Sequence, residues 1–133
     1  MATITTRLMI NGTAVTSDPI GIDYTQTPTV EAPAIESASI DVPPAGVAIL
    51  TTPATATTTY LYVKNTGAVG QSYINIQFNC GSGEAGAMVA TTYMRLELGD
   101  FCYLPVAASQ TVTLDVPAAP ATGLAEYGYF TLA

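Results

Sequence analysis

Histidine and tryptophan are absent from this chain. Basic residues nearly are: Arg7, Lys64 and Arg95 stand against ten acidic residues. Each shortage removes a class of function. Without histidine, general acid–base work falls to carboxylates. Three scattered cations in a chain of net charge −7 cannot neutralise the run of phosphates that a nucleic acid presents, and the same count excludes an anionic membrane surface. Cys80 and Cys102 are the only cysteines. They form no C-x-x-C pair, and two thiolates without histidine cannot complete a tetrahedral zinc set, so no metal is expected. Buried free thiols are the expected state, because reducing compartments disfavour a disulfide; a Cys80–Cys102 bond is the alternative. No apolar run approaches the roughly 20 residues of a membrane-spanning helix. The stretch MATITTRLMINGTAV lacks the basic start and unbroken apolar centre of a signal peptide, which points to synthesis in a cytoplasm.

What is present is apolar and neutral. The 133 residues are 49% hydrophobic and only 10% charged, against about 25% charged in an average soluble domain. The length suits one domain with a full core. Low charge is a poor guard against association, so such a surface suits a protein that lives in an assembly.

Helical periodicity is weak, while Thr, Val, Ile and Tyr recur between Pro and Gly breaks, the pattern of a many-stranded antiparallel fold. TITTRLMI (3–10) runs into Asn11-Gly12, a strong two-residue hairpin signal, followed by TAVTS. Residues 18–36 hold Pro19, Pro28 and Pro33 among polar residues and read as an extended arm or short edge segments. Residues 1–36 are therefore expected to form an N-terminal arm, and 37–133 a β-sandwich.

From residue 37 the alternation sharpens. Ala38, Ile40 and Val42 share one face of SASIDVPP, and Val112, Leu114 and Val116 share one face of TVTLDVPAA. Both segments stop at Asp-Val-Pro, where proline removes a ladder donor. The echo is read as two strands under the same local demand, with a duplicated half-sandwich as the other option. YLYVKNTGAVGQSYINI (60–76) reads as a hairpin, with Leu61 and Val63 inward on its first strand. Ile74, Ile76, Phe78 and Cys80 are inward on the return strand, against Tyr73, Asn75, Gln77 and Asn79 outward. Met94, Leu96 and Leu98 complete the expected core row of YMRLEL, and Gly99-Asp100 makes a turn into FCYLPV. With LAEYGYFTL at the end, roughly eight to ten strands in two packed sheets are expected. The class is an all-β antiparallel sandwich, jelly-roll or immunoglobulin-like.

Catalytic signals are thin. GSGEAG (81–86) matches G-x-G-x-x-G in form, but a dinucleotide site needs a following helix and a strand–helix–strand unit. A loop between strands is the better reading, and no cofactor is expected. Glu84, Glu97, Asp100, Asp115 and Glu126 are the carboxylates that could act, but they are scattered. No catalytic residue is assigned, and the chain is expected not to be an enzyme.

The eight tyrosines are more informative. Tyr60, Tyr62, Tyr103, Tyr127 and Tyr129 are read as a set opposite the aliphatic rows. Tyrosine suits a surface that is apolar in body and polar at its tip, and is enriched at interfaces. A subunit contact is expected of the set, while for any one tyrosine cross-strand packing on an exposed sheet face, or a plain core position, is the more ordinary reading. Arg95 and Glu97 are expected to form a weak exposed pair.

LYVKNTG (61–67) followed by a second strand, then LELGDFCYLPV (96–106) and the terminal AEYGYFTLA (125–133), resembles small virion proteins of tailed bacteriophages. The likeness covers about the second half of the chain. It implies a structural component of a phage particle, most of all a capsid cement or decoration protein. Such a protein sits on the capsid exterior, often as a homotrimer, and clamps neighbouring copies of the major capsid protein. The competing readings are a tail, neck or fibre component, with GSGEAGA or NTGAVGQ as a receptor- or glycan-binding tip, and a carbohydrate-binding or carbohydrate-active module.

Overall fold

The computed structural model describes residues 2–12, 20–30, 36–55, 58–68, 71–80, 92–117 and 122–132. All regular structure among them is strand. Four strands precede the sandwich: β1 (Ala2–Thr3), β2 (Thr6–Gly12), β3 (Ile20–Gln26) and β4 (Thr29–Val30). Eight more follow: β5 (Glu36–Val42), β6 (Val47–Thr51), β7 (Thr59–Asn65), β8 (Ile74–Cys80), β9 (Thr92–Leu96), β10 (Phe101–Val106), β11 (Gln110–Asp115) and β12 (Gly123–Thr131).

The eight build two four-stranded antiparallel sheets, ordered β10-β7-β12-β5 and β6-β11-β8-β9. The pairing is nested. The first strand of the eight pairs with the last (β5 with β12), the second with the seventh (β6 with β11), the third with the sixth (β7 with β10) and the fourth with the fifth (β8 with β9). Rolling that long folded ribbon adds the contacts β7 with β12 and β8 with β11. This is the jelly roll, which settles the choice against the immunoglobulin-like order.

The nesting corrects two expectations. Residues 60–76 do not form a hairpin: β7 and β8 lie in different sheets and face each other across the core. Alternation sets which side chains point inward, but it is blind to the partner strand. Likewise Asn11-Gly12 is no turn. Both residues belong to β2, which pairs from Thr6↔Gln26 to Gly12↔Ile20; the connection between the two strands lies outside the described residues.

The core is the row of alternate residues from both sheets: Leu61, Val63 and Ala125 against Ile74, Ile76, Val112 and Leu114, all without solvent contact. Val42 and Val116, from the two Asp-Val-Pro segments, are buried in it too. The sheets meet closely at Gly123, where an added Cβ would sit 2.8 Å from a Val116 methyl and 3.1 Å from Ile74. Leu98 departs from the expected core row. It lies past the end of β9 in the turn to β10 and is exposed. The turn needs Gly99, whose φ of 83° is a left-handed value that a side chain disfavours.

Asn65 ties the sheets together. Fully buried at the end of β7, its side-chain amide donates to the Leu96 carbonyl at 3.1 Å and to the Ser72 carbonyl at 3.4 Å, and its Oδ1 accepts from the Gly67 N–H at 3.0 Å. Its backbone N–H donates to Asp100 O and its carbonyl accepts from the Gly99 N–H. One asparagine therefore fixes the exits of β7 and β9 and the entry to β10. Among the described residues no buried side-chain polar atom lacks a partner.

The arm is anchored, not loose. β1 pairs with β4, Val30 bridges Leu132 beyond the end of β12, and Val30 is buried.

Ile76→Asp would place an unpaired charge in the core and should abolish the cooperative melt; a variant melting like the parent would overturn the register. Asn65→Ala strands the Gly67 N–H and the Leu96 carbonyl and should cost about 1–3 kcal/mol in denaturant unfolding, whereas Thr66→Ala, at the half-buried neighbouring position, should cost less.

Candidate functional site: an aromatic sheet face beside an apolar hairpin

Alternation on β7 places Thr59, Leu61, Val63 and Asn65 inward, so Tyr60, Tyr62 and Lys64 project from the outer face of the first sheet. On β10 the register Tyr103↔Tyr62 and Phe101↔Lys64 brings Phe101 and Tyr103 to the same face. On β12, Phe130 stands opposite Tyr60. The result is a stacked aromatic cluster. Tyr60 lies 5.4 Å from Tyr103 and 5.4 Å from Phe130, ring centre to ring centre, both near parallel; Tyr62 and Phe101 are 6.3 Å apart and tilted. Separations in this range add roughly 0.5–1.5 kcal/mol per pair beyond burial.

Of the five expected interface tyrosines, Tyr60, Tyr62 and Tyr103 share this face. Tyr127 and Tyr129 do not. They pair with Val63 and Leu61 and pack against the core. Their row on β12 begins with Gly123 and Ala125, which are too small to read as an inward aliphatic row, so the sequence pattern misled. Glu126, exposed between two inward residues, was the available signal for the true phase. Phe130 was missed for the same reason, being one residue out of step with Tyr129 on β12; Phe101, two residues from Tyr103 on β10, shares its face by alternation alone and was passed over beside the tyrosines.

The face is not evenly apolar. Toward β5 it carries Ser37, Ser39 and Asp41, with Glu126 opposite Ser39 on one side and Lys64 on the other. Burial raises the Tyr62 phenol above its ordinary value, with the Glu126 carboxylate adding to the shift; burial also raises Tyr103. Both hydroxyls therefore stay neutral at physiological pH.

The β2–β3 hairpin stands beside this face. Its register places Leu8 opposite Tyr24 and Ile10 opposite Ile22, an apolar ladder on one side, and Met9 opposite Asp23 on the other. Leu8, Met9, Ile10, Ile22 and Tyr24 are all 45–61% exposed. Arg7 clips the strands, donating from Nε to Asp23 Oδ1 at 2.8 Å and from Nη2 to Oδ2 at 2.6 Å. The Arg7 hydrogen bond holds the Asp23 carboxyl below its ordinary pKa and raises that of Arg7. Between hairpin and sheet runs a groove of about 360 Å³ whose walls include Leu8 and Tyr24 on one side and Tyr62, Phe101 and Tyr103 on the other. A second groove of about 330 Å³ runs past Ile4 and Thr6 over Tyr62, Tyr103 and Phe130.

The carboxylates do not converge. Asp115 lies on the outer face of the second sheet, where Asn75 donates to it at 2.7 Å and Gln77 donates to its other oxygen. Glu126 lies on the outer face of the first sheet. Glu97 and Asp100 share a turn, with Asp100 accepting from the Glu97 N–H. Glu84 and the whole GSGEAG stretch lie outside the described residues, as do Val69 and Gly70 of NTGAVGQ. No group of three metal-ligating side chains occurs among the described residues. Arg95 pairs with Glu97 at 2.5 Å, exposed as expected, and its guanidinium lies 3.5 Å from the centre of the Tyr73 ring. Cys102 is a free thiol facing inward from β10, and burial pushes its pKa up to about 11; the Cys80 side chain lies outside the described residues. Among the described residues no helix is long and apolar enough to cross a membrane.

No protein-family model matches this chain, and no curated protein matches it. One solved structure, of Bacillus endospore appendages described as a novel family of disulfide-linked pili, is similar at 20% identity. The match covers 80% of this chain and 91% of that one, with a TM-score of 0.48.

A thiol with a pKa of about 11 is almost wholly protonated at pH 8, so Cys102 should react with a thiol reagent at least about tenfold more slowly in the native protein than an unfolded cysteine does. Because burial favours the neutral form, Cys102 leaves stability unchanged below about pH 8.5, the unfolded value. Above it, stability falls as pH rises toward the folded value. A Cys102→Ser comparison by thermal melts between pH 7 and 10.5 isolates that slope.

Proposed function

We propose that this chain is a structural subunit of a larger assembly, working by contact and not by chemistry. The observation that carries the reading is the placement of exposed large hydrophobics. Among the described residues, Leu8, Met9, Ile10, Ile22, Tyr24, Phe101 and Tyr103 gather on one hairpin and the sheet face beside it, while Leu98 alone lies elsewhere. An isolated two-stranded ribbon is marginal in water, and a lone monomer rarely leaves so large an apolar area open. Both costs vanish once another body covers them.

Within that class we favour a capsid cement or decoration protein of a tailed bacteriophage, seated on the capsid exterior, with the major capsid protein and copies of itself as partners. The resemblance of LYVKNTG, LELGDFCYLPV and AEYGYFTLA supports this, and the jelly roll is a fold used in viral capsids, though folds host many functions. The acidic charge gives no attraction to packaged DNA. The mechanism is passive. Many copies bury apolar and aromatic surface across capsid joints, and because they bind the assembled lattice only, they stabilise it by mass action.

Copy number in purified particles tests this directly: hundreds per particle are expected, and a dozen or fewer would move the protein to the neck or tail. Deleting residues 2–20, which removes β1 and β2, should leave the far-UV β signal and reduce co-sedimentation with heads at least about fivefold. Loss of the β signal, or unchanged attachment, would overturn the role given to the arm.

A further inference from the structure

The stack of Tyr60 on Tyr103 holds together two phenols that an oxidant can join. We propose that this pair is a dityrosine site: one-electron oxidation couples the two rings through a carbon–carbon bond ortho to each hydroxyl and so staples β10 to β7. The bond goes beyond the assembly reading and does not depend on it.

Geometry carries the proposal. Tyr60 and Tyr103 are diagonal neighbours on β7 and β10, since Tyr103 stands opposite Tyr62 and Tyr60 opposite Pro105. Their ring centres are 5.4 Å apart with 13° between the planes, an offset stack with the ring edges close together. Phe130, the other ring stacked on Tyr60, has no hydroxyl and forms no phenoxyl radical. Tyr62, directly across the ladder from Tyr103, is the competing partner; its own ring pairs with Phe101, tilted by 38°. Access is one-sided. Tyr103 is 40% exposed and lines both grooves, whereas Tyr60 is half-buried. Other sinks for an oxidising equivalent are few. The chain has no tryptophan, and the Cys102 thiol, next in sequence to Tyr103, faces inward and stays protonated at a pKa of about 11.

The step balances. An oxidant takes one electron from Tyr103 and water takes the phenolic proton, which leaves a phenoxyl radical with spin on its ortho carbons. Tyr60 passes an electron and a proton to that radical across the stack, and Tyr103 is then oxidised a second time. The two radicals join ortho to ortho, and each ring becomes aromatic again as the displaced hydrogen moves to its oxygen. The pair has lost two hydrogen atoms in all. One hydrogen peroxide, reduced to two waters at the haem of a peroxidase, accepts them. Because the rings are already held in contact, coupling within one chain outruns coupling between dilute chains. The product matters to the fold, for β10 is the outermost strand of its sheet and pairs with β7 alone among the described strands. A bond from Tyr60 to Tyr103 also closes a long loop in the unfolded chain, as a disulfide does.

The test treats the full chain, at low micromolar concentration, with a peroxidase and one equivalent of hydrogen peroxide. The expected product is a monomer lighter by two hydrogen atoms, with the blue fluorescence of a biphenol. Peptide mapping should find Tyr60 joined to Tyr103, and the linked monomer should melt several degrees above the parent. Tyr60→Phe keeps a stacking ring but removes the phenol, and should lower the yield of linked monomer at least about tenfold. Tyr103→Phe should do the same. Tyr62→Phe and the hairpin variant Tyr24→Phe should leave the yield near that of the parent. The proposal fails if the parent gives no linked monomer or mainly cross-linked dimers. It fails equally if the map joins Tyr103 to Tyr62, or if Tyr60→Phe yields as much linked monomer as the parent.

Discussion

One strand sets both what this protein hides and what it shows. β7 is central in its sheet, bonded to β10 on one side and β12 on the other, and its inward residues from Thr59 to Asn65 are completely buried. Because side chains alternate, the same register that seats Leu61 and Val63 in the core obliges Tyr60 and Tyr62 to face out. A shift by one residue would bury two phenols and expose the aliphatic row. The core thus dictates the aromatic surface, and neither can change without the other.

Asn65 extends that constraint from one strand to the whole roll. Apart from β8 and β9, which pair within one sheet, successive strands of this jelly roll lie in opposite sheets, so the crossings must be held in place. The Asn65 amide bonds backbone carbonyls in the crossing after β7 and at the end of β9. Stacking on the outer face follows from the fixed spacing: with β7, β10 and β12 in register, Tyr60, Tyr103 and Phe130 have no choice but to lie ring against ring. The arm joins through Val30, whose bridge to Leu132 places its side chain on the same outward face as Leu132 and, two residues back, Phe130. From that anchor the β2–β3 hairpin rises beside the aromatic cluster with little of its own apolar surface covered.

Much of this was legible in the residues. The inward rows of β7, β8 and β11 follow directly from alternation, and the sandwich class follows from their number. The partner of each strand was not legible, since a period of two says which face a residue takes and nothing about what lies alongside; hence β7 and β8, read as a hairpin, belong to different sheets. Small residues hid the phase of β12, where Gly123 and Ala125 occupy core positions, and so Tyr127 and Tyr129 were assigned to the wrong face. Asn11-Gly12 carried a turn signal that the strand overrode, because continued pairing with Gly21 and Ile20 satisfies their backbone groups. The candidate surface was half visible: three of its tyrosines stood out and Phe101 was passed over beside them, while Phe130 and the hairpin ladder gain meaning only once the sheets are assembled.

Amide hydrogen exchange as a function of protein concentration bears most directly on the claim that hairpin and aromatic face exist to be covered. If they do, protection at residues 8–11, 22–25 and 101–104 should rise together as concentration increases, while the central strands β7 and β11 stay equally protected throughout. Exchange that is independent of concentration at all of these positions, in a sample that also fails to gain protection there on a purified particle, would contradict it.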